Sequence, residues 1–324
     1  KIKMFESIKN TKQQFLWEPV LNNAKAKEFK RIIVCGMGGS NIASGFLEML
    51  RPDLDILAHR TYGLPATVSK NDLVILSSYS GNTEETLDSL KEAVSEGLNI
   101  VAIAAGGKLL DLAKEKNIPF IQIPVSTIQP RMALGYSLLA MLKAIGGEEN
   151  IKKIHEFGKN FDPDVFEVPG RELAEKLQGK IPVIYSSWKN KSIAYAWKIK
   201  FNESAKIPAF FNVFPELNHN EMVGFLSFVA TPEGVCGSVI NPYFIFLKDS
   251  KDHPKVQKRM EITQKLLTEK GYSCHSYVFV DSHRVYKIFN SLTLADWVAY
   301  HIAKNFGINP EDSAIIEDFK HKIK

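Results

Sequence analysis

The sequence predicts an α/β protein of two units, each a parallel sheet flanked by helices. Short apolar runs alternate with helical patterns from Arg31 to Ser126, and the alternation resumes after residue 180. Glycine or serine ends the first two runs, where each strand would turn into its helix. Strand and helix in strict alternation imply a parallel sheet covered on both faces.

In chain order, Ile32-Ile33-Val34-Cys35 is the first strand, Gly36 ends it, and Asn41-Ile42-Ala43 opens a helix. Leu73-Val74-Ile75-Leu76 follows and stops at Ser77, with helices expected over 83–96 and 109–116. Ile100-Val101-Ala102-Ile103 and Phe120-Ile121-Gln122-Ile123 complete the first set. The polar stretch Gly146-Gly147-Glu148-Glu149-Asn150, with Pro163 and Pro169 beyond it, predicts a flexible boundary around 150–170, hence domains 1–152 and 153–324. Strands at 181–185, 243–247 and 276–280 then alternate with helices near 192–202, 256–270 and 285–306. Ser186-Ser187-Trp188 stands in this half where Ser78-Tyr79-Ser80 stands in the first, which suggests a degenerate duplication.

A chain of 324 residues with 45% hydrophobic content fits two globular cores and excludes disorder. A net charge of +5 on 24% charged residues could attract a dianionic metabolite but excludes a nucleic-acid-binding composition. Cys35, Cys236 and Cys274 lie far apart without CxxC spacing, so neither a disulfide framework nor a cysteine metal site is expected. No apolar run reaches membrane-spanning length, and Lys1 to Glu6 lack the core of a signal peptide, so a soluble cytoplasmic protein without membrane partners is expected. Because the chain opens on lysine, an initiator methionine or a few residues are expected to precede it.

Gly36-Met37-Gly38-Gly39-Ser40 joins a strand to a helix, so its backbone can approach a ligand while the helix N-terminus faces an anion. Dinucleotides, nucleotides and simple phosphate esters all suit such a loop. A dinucleotide site needs a third glycine where Asn41 or Ile42 stands and an acidic residue where His59-Arg60-Thr61 stands; a nucleotide P-loop needs a GxxxxGK[ST] motif that is absent. Ser77-Ser78-Tyr79-Ser80-Gly81-Asn82-Thr83 offers hydroxyl donors, a glycine for the turn, and Asn82 or Thr83 as N-cap. These residues also suit a plain turn, and Glu84 and Glu85 must point away from any bound dianion. Two such loops at the carboxyl edge of one sheet favour a phosphate site.

Together these two loops resemble the sugar isomerase (SIS) domain. Lys200-Phe201-Asn202-Glu203-Ser204-Ala205-Lys206, Pro215-Glu216-Leu217-Asn218-His219-Asn220-Glu221 and Ile316-Glu317-Asp318-Phe319-Lys320 narrow the resemblance to the bifunctional phosphoglucose/phosphomannose isomerase family, over nearly the whole chain. The resemblance implies two SIS-type subdomains, a homodimer, no cofactor, and interconversion of fructose 6-phosphate with glucose 6-phosphate and mannose 6-phosphate in glycolysis and gluconeogenesis. It implies that Gly39, Ser40, Ser78, Ser80 and Thr83 contact the substrate, mainly at phosphate, and that Arg131 supports the reacting end. Glu203 becomes the base, with His219, entering from the partner subunit, and Lys320 serving ring opening. Ser313, also implied to contact the substrate, aligns where many relatives carry threonine, which leaves epimer preference open.

The chemistry suits these side chains. Isomerisation moves a proton between adjacent carbons through an enediolate; a partly desolvated Glu203 could carry it, although from the residues alone a surface glutamate beside Lys200 and Lys206 is the preferred reading, which only the motif context reverses. His219 suits the exchange of protons that ring opening needs, as histidines do, but also reads as a structural histidine; Glu216 and Glu221 flank it without a second histidine or an HExxH pattern, so no metal is expected. Arg131 could offset enediolate charge, or be a solvated arginine. Lys320 lies on a terminal helix after Asn309-Pro310, close to Lys322 and Lys324; apolar Ile315, Ile316, Phe319 and Ile323 predict that this helix packs on the body. Two rivals stay open: a non-catalytic sugar-phosphate sensor and another SIS enzyme acting on amino sugars.

Overall fold

The computed structural model describes residues 4–24, 28–125, 128–226, 230–231, 234–235, 241–280 and 283–323. Cys236, Ser126 and Lys324 lie outside these described residues. The chain divides into two compact units, Lys1–Asp162 and Pro163–Lys324. Helix α7, Glu148–Asn160, therefore belongs to the first unit, where its buried Ile151, Ile154 and Phe157 face the preceding helices. The glycine pair before it ends α6 rather than a core.

The first unit opens with α1 (Met4–Lys9) and α2 (Lys12–Phe15) and a two-residue strand β1 (Leu21–Asn22). Strands β2 (Arg31–Cys35), β3 (Ile56–His59), β4 (Asp72–Ser77), β5 (Asn99–Ala104) and β6 (Phe120–Gln122) alternate with α3 (Gly38–Leu50), α4 (Glu84–Ser95) and α5 (Gly107–Glu115), before α6 (Leu134–Ala144) and α7. The sheet order is β1-β6-β5-β4-β2-β3, parallel throughout except that β1 pairs antiparallel on the outer edge of β6. β4 is buried at every position and β2 and β5 nearly so, as expected for strands covered on both faces. From β2 the chain goes to one side to form β3, then crosses to the other side to form β4. The carboxyl ends of β2 and β4 thus diverge into loops on opposite faces, a crevice where ligands of doubly wound sheets bind.

The second unit repeats this plan with fewer strands. Between α8 (Glu167–Lys176) and the terminal helices lie β7 (Ile181–Ser187), α9 (Lys191–Lys200), β8 (Phe210–Phe214), α10 (Glu221–Leu226) and a separate hairpin, β9 (Ala230–Thr231) with β10 (Gly234–Val235). They are followed by β11 (Pro242–Asp249), α11 (Pro254–Glu269), β12 (Ser273–Phe279), α12 (Arg284–Asn305) and α13 (Ala314–Lys322). The main sheet is all parallel, in the order β12-β11-β7-β8. β7 is flanked by β8 and β11 just as β2 is flanked by β3 and β4, so the topological counterpart of Ser186-Ser187-Trp188 is the Gly36–Ser40 loop. The alignment with Ser78-Tyr79-Ser80 suggested by the residues is one strand out of step, because serines end β4 and β7 alike while the strand order distinguishes them. The true counterpart of the Ser77–Thr83 turn starts at Asp249.

That position is occupied from within. The buried Asp249 carboxylate accepts two 2.7 Å hydrogen bonds from Lys287 Nζ on α12 and one of 3.2 Å from Asn190 Nδ2. Asn190 also donates to Ser187 Oγ at 3.0 Å. Burial opposes the charge on Asp249, but hydrogen bonds from Lys287, the Lys251 amide and Asn190, with the Lys287 charge, prevail and hold its pKa below the usual carboxylate range. No helix among the described residues is long and apolar enough to cross a membrane.

Candidate active-site elements

In the first unit three segments meet at the β2/β4 crevice. Gly36 is required by close approach, since a Cβ there would lie 2.6 Å from the Ser77 carbonyl oxygen. Gly39 is required similarly, with its Cβ position 2.6 Å from the Pro130 carbonyl and 3.0 Å from Arg131 N. The first turn of α3 therefore rests on the short 3-10 turn Pro130–Met132. That turn is fixed from behind by buried Gln14, whose Nε2 donates to Met132 O at 2.7 Å and whose Oε1 accepts from Gly135 N at 3.0 Å. Arg131 is only 5% exposed, so the solvated reading of this residue does not hold.

Ser40 Oγ accepts the Tyr79 amide at 3.0 Å and ties the two loops together. Ser78 Oγ shares a 2.8 Å hydrogen bond with Thr83 Oγ1 and accepts the amides of Gly81 (3.1 Å) and Thr83 (3.4 Å). Ser80 Oγ accepts the Asn82 amide at 3.2 Å. Ser40 and Ser78 are buried, Thr83 is half-buried and Ser80 is exposed, so hydroxyls stand at graded depth around one turn. Thr83 takes the N-cap position of α4 with extended backbone but makes no side-chain cap bond. The first amides of a helix carry partial positive charge that favours an anion, and the Thr83 side chain does not cap those of α4. The acidic side of α4 is held by the segment after β3: Tyr62 OH donates to Glu84 at 3.3 Å, while Asp88 and Glu92 accept the Gly63 and Leu64 amides.

A buttress that sequence reasoning passed over supports this turn. Gly81 and Gly107 have φ of 70° and 72°, and a Cβ on Gly81 would fall 1.7 Å from the Gly106 carbonyl oxygen. A Cβ on Gly107 would fall 2.4 Å from Ser80 O, while Asn82 Oδ1 accepts the Lys108 amide at 3.1 Å. Ala105-Gly106-Gly107 is a third glycine loop between a strand and a helix, so its signal was present in the sequence.

In the second unit Glu203 lies on a five-residue π-helical turn, Phe201–Ala205, that continues α9. π turns insert a residue into the helical ladder and recur at functional sites. Glu203 is half-buried rather than solvated. Its neighbouring lysines have other partners: Lys200 is buried against Asp296 of α12 at 2.6 Å, and Lys206 Nζ donates to the main-chain oxygen of Glu203 at 2.6 Å. Lys206 also donates to Asp312 O, which links the Glu203 turn to the segment holding half-buried Ser313 at the N-cap position of α13.

His219 closes the 3-10 turn Glu216–His219 and is exposed. Glu216 and Glu221 do not converge on it, since Asn220 Nδ2 donates to Glu216 at 2.8 Å and Tyr185 OH to Glu221 at 2.7 Å. Lys320 is exposed and pairs with Glu317 at 2.9 Å on its own helix. Here the expectation of a packed terminal helix is corrected. α13 buries no side chain, and Ile315, Phe319 and Ile323 are 81%, 61% and 50% exposed, because the helical period specifies an apolar face but not a surface to cover it. Among the described residues no group of three His, Cys, Asp or Glu side chains is placed to hold a metal ion. Burial pushes the Cys35 thiol up to about 12, which leaves it an unreactive core residue.

Residues 166–323 match the bacterial phospho-glucose isomerase C-terminal SIS domain. A bifunctional phosphoglucose/phosphomannose isomerase of Caldicellulosiruptor bescii is 33% identical over 99% of this chain and 98% of its own length. One from Aquifex aeolicus is 32% identical over the same shares. A solved glucosamine-6-phosphate deaminase of Thermotoga maritima has the same fold, with a TM-score of 0.68 at 15% identity over 97% of this chain and 98% of that one.

Proposed function

Because this chain belongs to the bifunctional phosphoglucose/phosphomannose isomerase family, we propose that it interconverts fructose 6-phosphate with glucose 6-phosphate and mannose 6-phosphate, without a metal ion or cofactor. The observation that carries this reading is the hydroxyl-lined turn at the β2/β4 crevice, where Ser40, Ser78 and Thr83 are already joined in one hydrogen-bonded unit. A dianion there gains hydroxyl donors and the amides of α4 with little reorganisation. Ser80 completes the grip and Gly39 lets the backbone approach.

Glu203 takes the proton from the carbon beside the open-chain carbonyl and returns it to the neighbouring carbon, while the hydroxyl proton on the first carbon's oxygen passes to the oxygen of the former carbonyl. Charge in the intervening enediolate rests on the two oxygens, where Arg131 offsets it. The step is redox-neutral and needs no co-reactant. His219 and Lys320 exchange protons with the ring oxygen and the anomeric hydroxyl to open the ring. Formation of both epimers follows if the enediolate turns about its C2–C3 bond and offers either face of C2 to Glu203, with Ser313 affecting the room available. The active species is a cytoplasmic homodimer in which each His219 serves the neighbouring subunit's substrate.

Incubation of the EDTA-treated protein with fructose 6-phosphate is expected to yield both glucose 6-phosphate and mannose 6-phosphate, measured by separate coupled dehydrogenase assays. A folded protein that gives neither product overturns the proposal; ligand-induced thermal stabilisation without turnover identifies a sugar-phosphate sensor instead. Preference for an amino-sugar phosphate in direct competition identifies a different SIS enzyme.

A further inference from the structure

The turn carrying His219 is fixed on both sides while the imidazole itself is exposed. Leu217, two residues before it, is fully buried among Tyr185, Phe214 and Phe246. Asn218 is held by α11: its Nδ2 donates to Thr263 Oγ1 at 2.9 Å, and Arg259 Nη1 donates to its Oδ1 at 3.3 Å. On the other side the Glu221 amide donates to Asn220 Oδ1 at 2.6 Å. The Glu221 carboxylate reaches into the sheet, where Tyr185 OH on β7 donates to Oε1 at 2.7 Å and Asn212 Nδ2 on β8 donates to Oε2.

A surface helix start needs no such anchor. A Glu side chain at the beginning of a six-residue helix is ordinarily solvated. Here its carboxylate is the hydrogen-bond acceptor for a tyrosine that is 1% exposed on a central strand. Burial, then the charge of Glu221, push the Tyr185 pKa up, so the phenol stays a neutral donor. The bond is charge-assisted and partly desolvated, the kind that fixes geometry most firmly.

We propose that Tyr185, Asn212 and Glu221 form a clamp that positions His219 for ring opening, with Tyr185 as its buried end. The proposal rests on the role assigned to His219 above. Tyr185 touches no substrate; it acts through Glu221 and the turn, and is a positioning residue.

The test separates ring opening from proton transfer. A ketose phosphate lacking the 5-hydroxyl, 5-deoxyfructose 6-phosphate, cannot close its furanose ring, so its isomerisation needs no help from His219. Tyr185→Phe removes one oxygen and keeps the ring that fills the core. Its kcat on fructose 6-phosphate is expected to fall about tenfold or more, as for a catalytic group displaced by a fraction of an ångström. Its kcat on the 5-deoxy substrate is expected to match that of the wild-type protein. Equal losses on both substrates, or no loss on either, overturn the clamp. Glu221→Gln, which places an amide donor against the Asn212 amide, is expected to give the same split and serves if Tyr185→Phe does not fold. His219→Ala made alongside tests the premise: full turnover of fructose 6-phosphate there overturns the role of His219. A loss in His219→Ala with none in Tyr185→Phe overturns the clamp alone.

Discussion

Glu203→Gln is expected to lower kcat on fructose 6-phosphate by about 10³-fold while leaving KM nearly unchanged, since general-base catalysis contributes on the order of 10²–10⁴. Glutamine keeps the shape and removes only proton affinity. The backbone of the turn does not depend on the carboxylate, because Lys206 Nζ holds the Glu203 main-chain oxygen and Asn202 Nδ2 closes the turn onto Ile207 O at 3.0 Å. The loss should therefore be confined to turnover. A sensitive check is exchange of the C1 proton of fructose 6-phosphate with solvent deuterium, followed by proton NMR, which should cease in the variant. Exchange or turnover at the wild-type rate would remove Glu203 from the mechanism.

Gly81→Ala is expected to raise KM for fructose 6-phosphate by tenfold or more, of order 10²-fold if the hydroxyls move by an ångström. Two costs arise together. At φ of 70° an L side chain is strained, and its Cβ would meet the Gly106 carbonyl oxygen at 1.7 Å, with no flexible side chain to yield. Either the 77–83 turn or the Ala105–Gly107 loop must move, and Ser78, Ser80 and Thr83 move with the first. Gly146 supplies a control, because its φ is 72° and nothing lies within 4 Å of its Cβ position. Gly146→Ala should cost only the left-handed strain, about 1–2 kcal/mol, and leave KM unchanged. Urea unfolding of both variants separates strain from clash. A Gly81→Ala enzyme with normal KM would show that this turn does not grip the phosphate.

Much of the fold was legible because its strands are buried on both faces and announce themselves as apolar runs. Ile32–Cys35 and Leu73–Leu76 are such runs, and both lie within observed strands. β8 was not legible: its five residues, Phe210–Phe214, run from exposed to buried along an edge, and their pattern resembles loop as much as strand. α7 was not legible, because Gly146-Gly147 signals an end of a helix without saying whether another follows and folds back on the same core. Within the candidate site, the turn of Ser78 and Thr83 was legible from turn chemistry, since their bond spans five residues, while their place in a site came from the family resemblance. Gln14 could not, because its partners Met132 and Gly135 lie more than a hundred residues away. The same holds for Tyr185, which reads as one more core aromatic until Glu221 is seen against its hydroxyl. Sequence periodicity reports which face is apolar, and long-range polar pairs leave no period.

The carboxylate of Asp249, tethered to Lys287 at the second unit's counterpart of the Ser77–Thr83 turn, would meet an incoming anion as a covalently attached competitor. A free dianion arriving there would have to displace a neighbour that never diffuses away, and would then face its negative charge across a few ångströms. On this reading the repeated topology carries one receptor and not two. Calorimetric titration with fructose 6-phosphate is expected to saturate at one equivalent per polypeptide, and a second equivalent of similar affinity would overturn this reading.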